Sequence, residues 1–366
     1  MKITYSFLTT ITLTICIAPL LSSCSWFHKK TIEELYSEQK SGVVLIYNKY
    51  YYSARVNDIE VYFTGIENNN FTNLSADEAD AKANAQVLNG TGFFIDENGT
   101  ILTNRHVAYP ALDEREIAET YKKLINSLRI LYEFSMDQLS DQFDSLNEEK
   151  STYYDYDQFG FEYCTNETRV QEIENEKDQL RSNYQDLKEK IETLPTHIMP
   201  SDIRIETVTE IGIAYNDTHV VNEDDLLRNN GCVITKVSKD KNVDLATIQL
   251  KNEKTPDDKY VFDLSYNDKI PQTIIGEPLY MIGYNAGLLL GTTSKGIQSQ
   301  LNKGNISQEP DGERLLYSIP AIGGSSGSPV LNDKGQVIAV NFAKMNGTEM
   351  FTFGIPMNKV LYFLDR

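Results

Sequence analysis

The sequence has few basic residues for its acidic content, and few histidines and cysteines. Its 366 residues include 34 Lys and Arg against 53 Asp and Glu, a formal net charge of −19. Phosphate contacts need clustered Lys and Arg, so this balance argues against a nucleic-acid partner. The four histidines lack the spacing of metal ligands, and no two cysteines lie close together. We therefore expect no nucleic-acid partner, no metal site and no cofactor.

Cysteine is also scarce. Of the four cysteines, Cys16 and Cys24 lie near the N-terminus, and only Cys164 and Cys232 remain in the body of the chain. Exported proteins form disulfides. Two cysteines so far apart in sequence are weak evidence for one, and their pairing stays open.

The first residues have the pattern of an export signal. Lys2 is followed by a mostly apolar, uncharged run from residue 3 to 21 and then by Ser22, Ser23 and Cys24. The run is at the short end for a membrane span. The Leu-Ser-Ser-Cys ending resembles the bacterial lipobox, in which the cysteine is lipidated and becomes the first mature residue. An ordinary signal peptide or an uncleaved anchor is the alternative.

That resemblance implies a signal peptide over residues 1–23, lipidation of Cys24 and a tether over 24–32. The protein would then be an exported, membrane-anchored lipoprotein of the bacterial cell envelope. With two membranes present, the outer membrane is expected, because Ser25 is no retention signal for the inner one.

Short β-strands dominate the rest of the chain except for residues 112–194. Val43–Tyr47 is a β-rich run, and Asn98-Gly99 between two apolar runs predicts a hairpin. From Ile203 onward, alternating strands and Asn, Asp and Gly turns predict barrels or sandwiches.

Residues 112–194 have helical spacing instead. The apolar positions form two series, Ile117, Tyr121, Leu124, Leu128 and Leu131 in the first and Ile173, Leu180, Tyr184, Leu187 and Ile191 in the second. Alternating steps of three and four residues are typical of a coiled-coil seam. The segment between them, rich in Tyr, Asp and Gly, predicts that the two helices fold back as an antiparallel hairpin.

The segment from Gly323 to Pro329 contains the candidate nucleophile. A serine among glycines lies where backbone N–H groups can converge on an oxyanion. If Ser325 were the nucleophile of an α/β-hydrolase elbow, an acid and then a histidine would have to follow it. All four histidines precede it, which nearly excludes that fold. If the motif is instead aligned as Gly324-Ser325-Ser326-Gly327-Ser328-Pro329, Ser326 is the nucleophile. The structural alternative is a glycine-serine turn without a catalytic role.

One histidine and one aspartate suit the two other catalytic roles. His106 follows the predicted hairpin directly, whereas His28 lies in the tether and His197 and His219 lie in predicted loops. Asp244 precedes an apolar strand, where a buried carboxylate can orient an imidazole. We predict a triad of His106, Asp244 and Ser326.

Three segments, residues 90–108, 243–250 and 319–343, together resemble the trypsin/chymotrypsin superfamily, and most closely its bacterial HtrA/Deg branch. The resemblance implies an all-β fold of two antiparallel six-stranded barrels with the coiled-coil hairpin inserted. The protease domain would span 33–366, with a first barrel over about 33–252, interrupted at 112–194, and a second over about 260–366. The chain ends at Arg366, which leaves no room for the PDZ domains usual in that branch.

The resemblance also implies the site. The N–H groups of Gly324 and Ser326 would form the oxyanion hole. Pro320, six positions before the nucleophile, would lie at the base of the specificity pocket, with Phe342 and Ala343 on its wall. An uncharged pocket implies cleavage after small or medium apolar residues. Ser328 stands where the family usually has Gly.

We expect a serine endopeptidase that acts on proteins or peptides in envelope quality control or processing. The alternative is a catalytically silent protease fold that binds partners through its coiled-coil arm. The helical hairpin would be a spacer, capture substrate or join protomers into a homo-oligomer.

Overall fold

The computed structural model describes residues 30–56, 59–266, 270–344 and 351–365. The predicted signal peptide, with Cys24, lies outside the described residues. In chain order, the helices are α1 (Ile32–Gln39), α2 (Glu78–Ala83), α3 (Arg105–Ala108), α4 (Glu114–Ser151), α5 (Glu167–Thr193), α6 (Glu223–Leu227), α7 (Leu288–Gly291) and α8 (Met357–Leu364).

The strands are β1 (Val43–Val56), β2 (Ile59–Phe63), β3 (Gly65–Glu67), β4 (Asn70–Thr72), β5 (Gln86–Phe94), β6 (Thr100–Thr103), β7 (Tyr154–Tyr156), β8 (Glu162–Cys164), β9 (Arg204–Tyr215), β10 (Gly231–Val237), β11 (Ala246–Leu250), β12 (Pro278–Gly283), β13 (Thr292–Thr293), β14 (Gly296–Ile297), β15 (Gln300–Asn305), β16 (Leu315–Tyr317), β17 (Pro329–Leu331), β18 (Val337–Lys344) and β19 (Thr352–Pro356).

The first barrel is closed and antiparallel. Its strands follow the order β1-β5-β6-β11-β10-β9, and β9 pairs back with β1, while β2 extends the sheet beyond β1. Successive residues of a strand face opposite sides. Val44 and Ile46 therefore pack inside the barrel, whereas Val43 and Leu45 pack in a cluster shared with the second sheet. Burial of both faces explains the unbroken apolar run at the start of β1.

The second sheet is a half-barrel rather than the closed barrel expected from the sequence. Its six strands follow the order β15-β12-β17-β18-β19-β16, all antiparallel. Its two edges meet only at an isolated bridge between Ile306 and Tyr317. The edge strand β16 has three residues, which is too short for a longer ladder. Met281, Tyr317 and Val330 are among the buried residues that fill this half.

Helices α4 and α5 form the predicted insertion, joined by the β7–β8 hairpin; we call this segment the helical arm. The helices run antiparallel, because Glu149 contacts Arg169 near the hairpin, whereas Arg129 contacts Pro195 at the other end. Among the described residues, no helix is long and apolar enough to cross a membrane.

The seam of α4 differs from the prediction. Ile117 and Tyr121 are fully buried, but they pack against Tyr52 and Phe63 on the first barrel rather than against α5. Leu131 is 54% exposed, so the apolar series predicted for α4 leaves the interface halfway along the helix. Farther along, Phe143 lies against Lys177 and Arg181 of α5. The first turns of α4 therefore anchor the arm to the barrel.

Cys164 and Cys232 are both free thiols. Cys164 ends β8 at the far end of the arm, whereas Cys232 lies in β10 of the first barrel. Burial raises the pKa of the Cys232 thiol to about 12. The two cysteines lie in different parts of the fold and do not pair.

Candidate active site

His106 and Asp244 lie at the same end of two neighbouring strands. Strands β6 and β11 pair with Thr103 opposite Ala246, so the residues just outside this end are brought together. The Asp244 Oδ2 atom lies 2.6 Å from His106 Nδ1, and the backbone N–H of His106 donates to Asp244 Oδ1 over 3.0 Å. The carboxylate thus contacts both the ring and the backbone of the histidine.

The environment of Asp244 favours its charged form. Burial by itself raises the pKa of the carboxyl group, but hydrogen bonds and charge interaction with His106 outweigh burial and leave the pKa below its ordinary value. The Asp244 side chain is 18% exposed and the His106 side chain 43%. The pair therefore joins a shielded carboxylate to an imidazole that substrate can reach.

The loop that carries Ser326 is docked on the first barrel through Thr91. This buried residue of β5 donates its hydroxyl to Gly324 O over 2.8 Å and its N–H to Ser326 O over 2.8 Å. Thr103, next to the segment that carries His106, donates its hydroxyl to Thr91 O over 2.7 Å. One strand pair therefore positions both the serine loop and the histidine.

The peptide groups that lead into Gly324 and Ser326 are held by their carbonyl oxygens. Gly323 O accepts a hydrogen bond from the N–H of Ala286. Ser325 O accepts from Ser328 N over 3.1 Å and from Asn341 Nδ2 over 2.9 Å. In a planar trans peptide the N–H points opposite to the C=O. The N–H groups of Gly324 and Ser326, the two predicted oxyanion donors, therefore point away from the hydrogen bonds that hold the carbonyls of Gly323 and Ser325.

Gly324 can be replaced by no other residue without strain. Its φ is +95°, a backbone conformation open mainly to glycine. A Cβ at this position would also meet the backbone of Tyr284 and Gly287. The glycine therefore allows both the turn of the loop and its close approach to the neighbouring segment.

The structure joins His106 to Asp244 and docks the Ser326 loop on the strand pair that precedes His106. Within the described residues, no hydrogen bond joins the Ser326 hydroxyl to His106. Ser326 is half-buried, and the imidazole is partly exposed. Contacts between nucleophile and base are often long in enzymes without substrate.

A cavity of about 230 Å³ opens beside Ser326. Its walls include Ala321, Ile322 and Phe342, and no charged side chain lines it. Pro320 lies outside this cavity: it is exposed, and its carbonyl accepts a hydrogen bond from Asn302 Nδ2 over 2.7 Å. Ala343 lies in β18 next to Phe342, and the structure does not describe its side chain.

The remaining histidines of the described chain, His197 and His219, are exposed loop residues. In the parts of the chain that the structure describes, no group of three or more His, Cys, Asp or Glu side chains is arranged to hold a metal ion.

Comparison with known proteins finds a family similarity over part of the chain. Residues 205–340 match the family model described as a trypsin-like peptidase domain. This match covers less than half of the chain, which is thus similar to that family over residues 205–340. The matched range contains Asp244 and Ser326, while His106 precedes it and the helical arm.

Among solved structures, the chain is similar to a serine endoprotease from Yersinia pestis, with 13% identity and a TM-score of 0.41. The similarity covers 92% of this chain and 66% of the Yersinia chain, slightly less than two thirds of its length. No curated protein matches the sequence.

Two residues that position the serine loop were not predicted from the sequence. Thr91 and Asn341 are both buried and both bind backbone atoms of the serine loop. The signal for Asn341 was a polar residue inside the apolar run of β18. The signal for Thr91 was a threonine between Gly90 and Gly92.

Proposed function

We propose that this protein is a serine endopeptidase with His106, Asp244 and Ser326 as its catalytic triad. The observation that carries the proposal is the 2.6 Å contact between Asp244 and His106. The serine loop that docks on the adjacent strand pair through Thr91 adds support. A buried carboxylate on the inner ring nitrogen leaves the outer nitrogen, Nε2, for the serine.

The steps follow from these positions. Ser326 Oγ attacks the scissile carbonyl carbon while His106 Nε2 accepts its proton, and the charged Asp244 stabilises the resulting imidazolium. The N–H groups of Gly324 and Ser326 donate to the oxyanion. His106 then returns the proton to the leaving amine, and the acyl ester on Ser326 is hydrolysed by water that His106 activates.

The cavity beside Ser326 supports a preference for small or medium apolar residues before the scissile bond. Its volume of about 230 Å³ suits Ala, Val or Leu, and its lining offers no carboxylate to Arg or Lys. Digestion of a peptide library by the purified protein tests this preference, with the Ser326→Ala variant as control. Dominant cleavage after Arg or Lys would refute it.

We propose further that the protein is an exported lipoprotein anchored through Cys24. The support is the charged start, the apolar run and the Leu-Ser-Ser-Cys ending. An envelope protease of this kind would act in protein quality control or processing. The Cys24→Ala variant should release soluble protein or stall processing. If it stays on the membrane with a cleaved N-terminus, another anchor exists.

The helical arm is proposed to capture substrate or join protomers rather than act as a spacer. Its outer surface is rich in charged residues, which keeps it solvated. Replacing residues 113–193 with a short Gly/Ser link tests this role. If small-peptide cleavage, protein cleavage and the number of protomers per particle all stay the same, the arm is a spacer.

The second candidate function is a catalytically silent scaffold that works through its arm. Two observations favour it: within the described residues Ser326 and His106 share no hydrogen bond, and the arm exposes several aromatic side chains at its end. A fluorophosphonate probe separates the candidates, because it labels only an activated serine. Stable labelling of Ser326 supports the peptidase. Absence of labelling supports the scaffold.

A further inference from the structure

The far end of the helical arm presents a cluster of exposed aromatic side chains. We call residues 152–166, which contain β7, β8 and their turn, the tip hairpin. Their exposed fractions are 36% for Tyr154, 64% for Tyr156, 74% for Phe159, 71% for Phe161 and 48% for Tyr163. Single exposed apolar residues are common, but five exposed aromatics within ten positions, with Tyr154 and Tyr156 on one face of the hairpin and Tyr163 on the other, mark this hairpin as an interaction surface.

The tip hairpin has a defined shape. The side chain of Asp157 accepts hydrogen bonds from the N–H groups of Phe159 and Phe161 over 2.8 and 2.9 Å, and Asp157 N donates to Phe161 O over 2.9 Å. The turn is completed by Gly160 with φ of +81°. These bonds fix the backbone of the turn that carries Phe159 and Phe161, whose side chains are exposed.

Ion pairs join the two helices at the end of the arm that carries the tip hairpin. Arg169 binds both carboxylate oxygens of Glu149, over 2.8 and 3.0 Å, and Lys150 pairs with Glu174 over 2.7 Å. Each pair joins α4 to α5 just below the hairpin. Rigid aromatic side chains on a fixed support lose little entropy when they bind a partner.

The charge of the tip hairpin is of one sign. Asp155, Asp157 and Glu162 alternate with the aromatic residues, and residues 152–166 contain no Lys, Arg or His. Two kinds of occupant fit poorly. Insertion into a lipid surface would bury carboxylates that lie between the rings. Contact with the same hairpin of a second copy would bring like charges together.

A cationic protein segment fits both the exposed aromatic side chains and the negative charge of the tip hairpin. Lys and Arg can pair with the three carboxylates and can lie over Tyr and Phe rings, while apolar side chains of the same segment cover the rings themselves. The 27 residues of α5 span about 40 Å at 1.5 Å per residue, so the tip hairpin lies about 40 Å from the opposite end of α5, where the chain returns to the first barrel. The segment held there is therefore distinct from the peptide at the serine.

We propose that the tip hairpin is a docking site for a basic, partly apolar segment of a partner protein. The proposal goes beyond the proteolytic function and does not depend on it. Its test uses the full-length Ser326→Ala variant, so that no bound peptide is cut. A random library of 15-residue peptides is selected on this protein and counter-selected on the same protein carrying Phe159→Ser and Phe161→Ser.

The selected peptides should carry a net positive charge and apolar residues. They should bind the protein with Phe159→Ser and Phe161→Ser at least about tenfold more weakly than the protein without these two changes, which is the loss expected when interface anchors are truncated. The matched control carries Leu289→Ser and Tyr362→Ser, two side chains that are 82% and 85% exposed elsewhere on the surface. This control should bind within about twofold of the parent.

Charge is tested separately. Asp155→Asn with Glu162→Gln should weaken the selected peptides by severalfold, whereas Asp186→Asn with Glu192→Gln, two exposed acids on α5, should not. The proposal is overturned if no peptide survives counter-selection, or if the survivors are neutral or acidic. It is also overturned if the phenylalanine pair instead governs binding to phosphatidylglycerol vesicles or self-association measured by sedimentation.

Discussion

The hydroxyl of Ser328 fills the space beside Gly283, where any other residue would place its Cβ. Ser328 is fully buried, and its Oγ has no hydrogen-bond partner. The serine that replaces the usual glycine of the family is thus accommodated by a glycine on the neighbouring strand β12. The departure from the family pattern leaves the serine loop intact because the two positions are complementary in volume.

This complementarity predicts opposite effects of two substitutions. Ser328→Ala should leave stability unchanged or raise it by up to about 1–3 kcal/mol, because it removes a buried hydroxyl without a partner. Gly283→Ala should lower stability by about 1–3 kcal/mol through overpacking. Urea unfolding measures both. A Gly283→Ala protein as stable as the parent would contradict the packing.

Asn341 is predicted to position the oxyanion hole. Its Nδ2 donates to Ser325 O over 2.9 Å, and its Oδ1 accepts from the buried Tyr317 hydroxyl over 2.8 Å. Asn341→Asp cannot make the first bond, so the Ser326 N–H loses its fixed direction. We expect kcat on a small peptide to fall by about tenfold or more with little change in KM, since a lost oxyanion donor costs about 10²–10³.

Two variants check this interpretation. Tyr317→Phe should give a smaller fall in kcat, because the Asn341 amide stays but loses its own anchor. Asn302→Asp is a matched control on β15 and should leave kcat unchanged. An Asn341→Asp protein that folds and keeps its full kcat would show that this side chain has only a structural role.

Asp244 is predicted to link stability to pH. Its folded pKa lies below its ordinary value of 3.8, so the ionised carboxylate stabilises the folded state at neutral pH. This contribution is present above the unfolded pKa and is lost as the pH falls through the folded pKa. The difference in unfolding free energy between the parent and Asp244→Asn should therefore be larger at pH 7 than at pH 3. An equal difference at both values would exclude ionisation of Asp244 as its source.

Much of the fold could be predicted where pattern and turns agree. Strands and turns alternate after Ile203 as predicted, among them β11 and β12, and the Asn98-Gly99 hairpin turn is present, with Gly99 at φ of +76°. Strand β1 is longer than predicted. It continues past Asn48 and Lys49 to Val56 because β9 pairs along most of its length, a long-range contact that local alternation does not reveal.

The contacts that support the serine loop could not be predicted from the sequence. The order of the residues favoured Ser326 over Ser325, because all four histidines precede the serines. His106 was selected because the other histidines lie in predicted loops or in the tether. The bond from Asn341 to Ser325 and the docking of the loop on Thr91 join separate strands and leave no periodic trace in the sequence. The exposed side chain of Leu131 has a similar cause, since the barrel that packs on Tyr121 ends before that point of α4.

The central claim is that Ser326 is a nucleophile activated by His106 and Asp244. The most direct measurement is the rate at which a fluorophosphonate probe labels the purified protein, with the labelled residue located by mass spectrometry. We expect labelling at Ser326 that Ser325→Ala preserves, Ser326→Ala abolishes and His106→Ala slows by several orders of magnitude. Labelling that persists in Ser326→Ala but disappears in Ser325→Ala, or that does not depend on His106, would contradict it.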